Sequence, residues 1–197
     1  YLYGSNSTIT GNTVVNNGAG IFYLGSDGAV ISGNNVTDNW LGDISQINST
    51  GIIMASTEYN CGPAALATVL NNMGINATQE ELANLSETDE TGTRMDKLQQ
   101  AAQNKGLLQT KGMKLSVNQL KPNNIVVLTT DMGKHYCIVA EITNTTICLL
   151  DTDLGMLTMT IETFSEMYCG NALFGYALVI TNDTNNTNTD ETSINTN

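Results

Sequence analysis

Residues 56–74 read STEYNCGPAALATVLNNMG, and the fold turns on how this stretch is read. Leu66, Val69, Leu70 and Met73 recur at helical spacing, Pro63 falls in the first turn and Gly74 supplies the stop. The segment predicts an apolar helix with Cys61 at its mouth. A thiolate there would meet unpaired backbone N–H groups and the positive end of the helix dipole. Gly62 would let other backbone approach closely. A free cysteine is also among the most often buried residues, so position alone leaves two readings open: a nucleophile, or a small core side chain.

Outward from this helix the chain divides into three zones. Thr78 followed by Glu81 is a capping box for QEELANLS. Thr93 with Asp96 opens RMDKLQQAAQNK, closed by Gly106. The period then changes: IVVL at 125, HYCIVAEI at 135, TICLLD at 146 and YALVI at 176 are aliphatic, β-branched strands separated by turn residues. Helices followed by antiparallel strands predict an α+β domain over residues 46–180.

Upstream, ITGNTVVNN at 9–17 returns as ISGNNVTDN at 31–39, matching Ile9 to Ile31, Gly11 to Gly33, Asn12 to Asn34 and Asn17 to Asn39. Short strands between Gly-Asn turns at such a period are a repeat signature. Residues 1–45 resemble coils of a right-handed parallel β-helix, with asparagines stacked between coils. Two copies fall short of the roughly three such repeats need, so further coils are expected upstream. The opening YLYGSNSTITG, without methionine, agrees with a segment cut from a longer chain. Downstream, residues 181–197 carry almost no apolar side chain and are expected to stay disordered. Asn-X-Ser/Thr sequons at Asn6, Asn35, Asn48, Asn76, Asn84, Asn144, Asn182 and Asn185 fit a surface protein.

Composition narrows the partners. Nineteen acidic against seven basic residues give a net charge of −12, so no basic stripe exists to meet phosphates. Nucleic acid and anionic membranes are poor partners; a peptide or wall polymer fits better. No run approaches the roughly 20 apolar residues of a membrane span. Four cysteines without a CxxC do not form a disulfide scaffold, and a zinc site would have to draw on a single histidine. No metal and no cofactor is expected. DTDLG and GSDG read as turns rather than calcium loops, and ETDET at 87–91 as a solvated loop.

That single histidine is His135, on HYCIVAEI, and the next strand ends at Asp151. A hairpin centred near residue 143 returns Asp151 to the level of His135, within a residue or two of register. A carboxylate there can orient the imidazole and stabilise its cation. Cys137 and Cys148, on paired strands but out of register for a disulfide, read as small packing groups.

YNCGPAALATVLNNMG, GKHYCIVAEI and LLDTDLG resemble the cysteine, histidine and aspartate motifs of the bacteriocin-processing, double-glycine-type cysteine peptidases, a papain-like group. The resemblance covers roughly residues 55–180. It implies a papain-like fold, N-terminal helices on an antiparallel sheet. It also implies that Cys61 is the nucleophile, His135 the general base and then acid, and Asp151 the orienting residue, with Asp153 a weaker candidate for that role. The family places an oxyanion-stabilising glutamine six residues before the cysteine; here that position is Ala55. Loss of one oxyanion donor typically costs about 10²–10³ in rate. The Cys61 N–H, with Ser56 or Asn60, is left to supply the hole; Gln46 is too distant in sequence to assume.

The β-helical zone and tail resemble adhesin-like surface proteins of methanogenic archaea. The expectation is therefore an extracellular or cell-surface cysteine peptidase acting through a Cys61 thioester. Its substrate would be a peptide or protein, such as a wall peptide or a neighbouring surface protein. The rival is a non-catalytic adhesion module that uses a degenerate peptidase cleft.

Overall fold

Helix α1 (Cys61–Asn72) is buried on every side from Cys61 to Leu70. The sequence predicted one apolar stripe. The remaining faces are closed because Ala64, Ala65 and Ala67 are small enough for neighbours to pack against the helix directly. Burying Leu66, Val69 and Leu70 contributes about 1.5–3 kcal/mol each. Thr68, fully buried among them, donates to Ala64 O at 2.9 Å and accepts from Ile53 N at 2.9 Å, so its hydroxyl is satisfied.

The computed structural model describes residues 2–3, 8–17, 20–24, 30–37, 39, 44–47, 51–131 and 133–181. The expected disordered tail from 182 onward, with the sequons at Asn6, Asn48, Asn182 and Asn185 and the GSDG turn, lies outside them.

Helix α2 (Gln79–Leu85) starts at the anticipated capping box: the Thr78 hydroxyl accepts from Glu81 N at 3.1 Å, and the Glu81 carboxylate accepts from the Thr78 backbone. Helix α3 (Met95–Asn104) corrects the sequence reading at its start, because its N-cap is Arg94 rather than Thr93. The Thr93 hydroxyl is engaged with Thr88 at 2.7 Å, closing a chain that begins at buried Ser86. Asp96 is paired with Arg94 and also accepts from the backbone of the first turn, at Asp96 and Lys97.

Six strands follow: β1 (Lys111–Leu115), β2 (Ile125–Thr130), β3 (Gly133–Ile142), β4 (Thr146–Asp151), β5 (Gly155–Thr160) and, after helix α4 (Ile161–Cys169), β6 (Gly175–Val179). They form one antiparallel sheet in the order β5-β4-β3-β2-β6-β1. β1, β5 and α4 were not anticipated. β5 nevertheless alternates buried and exposed along GMLTMT, and Thr160 caps α4 by accepting from Thr163 N.

The period of two along β3 splits the core. Tyr136 and Ile138 face α1–α3 with Ile125 and Leu178, while Cys137 and Val139 face α4 with Phe164, Leu149 and Ala177. Phe164 and Tyr168 stack at 5.2 Å. Tyr168 lies so close over Gly175 that a Cβ there would meet its ring at 2.5 Å.

In the N-terminal zone, strands pair in parallel at the spacing read from sequence. Ile9 pairs with Ile31 and Val14 with Val36, and Leu2–Tyr3, Ile21–Leu24 and Ile44–Ile47 form a three-stranded sheet. Gly11 and Gly33 both turn at positive φ, +69° and +64°. Asn34 Oδ1 accepts from both nitrogens of Asn12, and Asn39 Oδ1 accepts from Asn17 N.

Candidate active site

Cys61 is the first residue of α1 and is only 7% exposed. The helix reaches the sheet closely because residue 62 is glycine. A Cβ there would lie 3.1 Å from Thr93 Cβ and 3.2 Å from Tyr136 Cδ2. Tyr136 is itself fixed by donating its hydroxyl hydrogen to Thr93 O at 2.9 Å. Its neighbour His135, half-buried near the start of β3, comes within hydrogen-bonding reach of the Cys61 thiol.

The other side of the imidazole meets a carboxylate. His135 Nε2 lies 3.1 Å from Asp151 Oδ2, and Nδ1 lies 3.7 Å from Asp153 Oδ2. The hairpin register puts Asp151 opposite Cys137, not His135, because the turn centres between residues 144 and 145 rather than near 143, and the slip between Val139 and Glu141 recovers only one residue. Asp151 therefore reaches His135 diagonally, at a distance long side chains span. It cannot swing away, since its Oδ1 accepts backbone N–H groups from Asp153 at 2.8 Å and Leu154 at 3.0 Å.

These contacts decide the charges. Burial works against a positive His135, but hydrogen bonds to Asp151, Cys137 and Cys61 outweigh it and carry the imidazole well above its ordinary 6.5. Burial likewise works against the Asp151 anion, yet His135 and the two backbone amides hold it below the usual 3.8. Asp153, half-exposed, is pushed up, by burial first and then by the Asp151 charge, against the pull of His135. The arrangement is a carboxylate that favours a protonated imidazole, set beside the sulfur at a helix N-terminus.

Sequence reasoning read Cys137 as a packing group. The structure packs Cys137 fully buried in the core under α4 and adds a contact that reading missed: its Sγ donates to Asp151 Oδ2 at 3.3 Å. Burial and the Asp151 charge push this thiol upward, so it stays protonated. The signal was available, because residues two apart on a strand share a face and His135 is the neighbour on that face.

The segment before Cys61 is tied on both sides. Ala55 N donates to Thr152 O at 2.8 Å, against the Asp151 loop. Gln79, at the start of α2, accepts at Oε1 from Ser56 N (2.9 Å) and Ser56 Oγ (3.1 Å), and donates from Nε2 to Met54 O (3.0 Å). Asn60 Nδ2 donates to Ser56 Oγ at 2.9 Å. No spacing rule in the sequence singles out Gln79, because it reaches this segment through tertiary packing alone.

The Peptidase C39 family model matches residues 49–177. The chain belongs to the peptidase C39 family. An uncharacterized protein of Methanothermobacter thermautotrophicus is 44% identical over 122 residues, covering 62% of this chain and 85% of its own length. One of Methanothermobacter marburgensis is 38% identical over the same extents. Among solved structures, the peptidase domain of Streptococcus ComA, a bifunctional ABC transporter of a quorum-sensing pathway, superimposes with a TM-score of 0.54 at 24% identity, covering 66% of this chain and 96% of that one. A double-glycine-motif protease from an AMS/PCAT transporter, solved with its leader peptide, gives 0.54 at 22%, covering 65% and 88%. At such identities these two structures show the fold. With the family match, they make this a C39 domain of cysteine-peptidase type, built on helices and a large antiparallel sheet.

Proposed function

We propose that this C39 domain cleaves a peptide bond by acyl transfer through Cys61. One observation carries the reading: His135 lies between Cys61 and Asp151, with Nε2 committed to Asp151. That leaves Nδ1 to serve the sulfur. In the forward step the Cys61 S–H proton passes to His135, Sγ attacks the scissile carbonyl carbon, and His135 gives that proton to the departing amine as the C–N bond breaks. Water then attacks the thioester, giving its proton to His135 and releasing the acid with the thiol regenerated. Asp151 holds the imidazole in orientation throughout.

The oxyanion falls to the Cys61 N–H, one of the helix's unpaired donors, together with the Asn60 amide. Asn60 is preferred to Ser56, whose single hydroxyl hydrogen goes to Gln79 Oε1, whereas the Asn60 amide has a second hydrogen beyond the one given to Ser56 Oγ. Ala55 supplies no side-chain donor.

The substrate is a peptide or protein segment. We place the domain outside the cell, carried by the Asn-rich parallel strands of residues 1–45, read as coils of a β-helix stalk, and continued by a polar tail from 181. No helix among the described residues is long and apolar enough to cross a membrane. A peptidyl fluoromethyl ketone, followed by peptide mass spectrometry, tests the assignment. The adduct is expected on Cys61 alone and should disappear in His135→Ala. Equal labelling of Cys148 and Cys169, unaffected by His135→Ala, would instead favour the non-catalytic binding module, for which the missing glutamine speaks.

A further inference from the structure

The acyl-transfer scheme makes no use of Cys137. Its sulfur and His135 Nε2 nevertheless converge on one carboxylate oxygen, Asp151 Oδ2, at 3.3 and 3.1 Å. One ligand-type atom from each of the three residues lies within 4.8 Å of the others. Cys137 is fully buried, Asp151 4% exposed, and the His135 side chain 17% exposed, so solvent reaches the cluster from the His135 side.

This geometry is close to that of a metal site. Zinc binds thiolate at about 2.3 Å and imidazole or carboxylate at about 2.0–2.2 Å, which sets neighbouring tetrahedral ligands on the order of 3.3–3.6 Å apart. The two separations from Asp151 Oδ2 would have to widen by only a few tenths of an ångström, and the thiol and imidazole already lie within 4.8 Å of each other. Charge also balances, as one thiolate and one carboxylate neutralise a dication in a place that tolerates no net charge. The backbone amides of Asp153 and Leu154 on Asp151 Oδ1 orient the carboxylate in the way outer partners orient metal ligands. The single histidine, which argued against zinc in the sequence, is joined by a thiol and a carboxylate from two adjacent strands.

We infer that His135, Cys137 and Asp151 form an inhibitory site for a thiophilic divalent cation such as zinc. On binding, the Cys137 S–H and His135 Nε2–H protons leave to solvent, and the metal bonds to Sγ, Nε2 and Asp151 Oδ2, with water in the fourth position. The imidazole is then held neutral with its remaining proton on Nδ1. It can no longer accept a proton there, and its orienting hydrogen bond is gone. Metal binding stands on the cluster alone, while inhibition rests on the proposed peptidase reading.

Cobalt(II), a spectroscopic surrogate, separates the two. Titration of the full chain should give one equivalent with a thiolate-to-cobalt charge-transfer band, displaced by zinc, retained in Cys61→Ala and lost in Cys137→Ser. The serine keeps a donor for Asp151, and Cys137→Val with an unchanged thermal melt guards against misfolding. In peptide cleavage, Cys137→Ser should raise the zinc concentration for half-inhibition at least tenfold. A band that survives in Cys137→Ser but vanishes in Cys61→Ala, or no band at all, overturns the site. Unchanged zinc inhibition in Cys137→Ser overturns the switch. A Cys137-dependent band in a protein that cleaves nothing upholds the site and ends the peptidase reading.

Discussion

At the scale of the residue, His135 and Asp151 form a pair whose protonation has a direct energetic signature. Asp151 is depressed below 3.8 and His135 raised above 6.5. The aspartate's contribution is therefore complete above its unfolded value and lost as pH falls through its lower native one. The histidine's contribution is complete below its unfolded value and declines as pH rises towards its native one. Between pH 3.8 and 6.5 both are in full force. The stability difference between the wild type and Asp151→Asn, followed by urea denaturation, should thus plateau in that window. It should shrink on either side, with a limiting slope of about 1.4 kcal/mol per pH unit. A difference that does not vary with pH would mean that the pair is not ionised. The oxyanion assignment has its own test. Asn60→Ala should lower kcat by about 10²–10³, the usual cost of one donor, while Ala55→Gln should raise acylation by up to the same factor if residue 55 faces the developing charge. An unaffected kcat in Asn60→Ala would move the hole elsewhere.

At the scale of the element, α1 must approach β3 closely for the thiol and imidazole to meet, and Gly62 permits it. Gly62→Ala forces Thr93 and Tyr136 apart, an overpacking change of about 1–3 kcal/mol, and it should cut turnover more than it lowers the melting temperature. Gln79→Ala tests the other restraint. It leaves three polar groups of the Met54–Ser56 segment without their partner, so activity should fall while Cys61 can still be alkylated. Much of this organisation was legible from local sequence. The α1 face, the Thr78 capping box and the four apolar strands follow from period and capping chemistry. The Ile9/Ile31 and Asn12/Asn34 matches turn out to be pairing partners. The start of α3 was misread because Thr93 has two rival uses for one hydroxyl, and the tertiary one prevails. Strand β1, KGMKL, offers only Met113 and Leu115 alongside lysines, too short an apolar alternation to read as a strand. His135 and Asp151 could be paired from hairpin arithmetic, but the one-residue slip, the Cys137 contact and the Gln79 clamp arise only from register and packing.

At the scale of the whole molecule, the sheet separates two cores that serve different ends. One face holds α1 and so the nucleophile; the other, under α4, stiffens the strands that carry His135 and Asp151. Gly175 is where α4 closes on the sheet, and a Cβ there would meet the Tyr168 ring and backbone at 2.5 Å. Gly175→Ala should therefore destabilise the fold by about 1–3 kcal/mol, read as a lower urea midpoint, with catalysis largely kept below the transition. The central claim is that folding presents Cys61 to His135 as a working pair. Its most direct test is the rate of iodoacetamide alkylation at Cys61, resolved by peptide mass spectrometry at pH 6 in the wild type and in His135→Ala. The account predicts that Cys61 reacts at least tenfold faster than Cys148 or Cys169 and that His135→Ala abolishes the advantage. Equal rates at these cysteines, unchanged by the substitution, would contradict it.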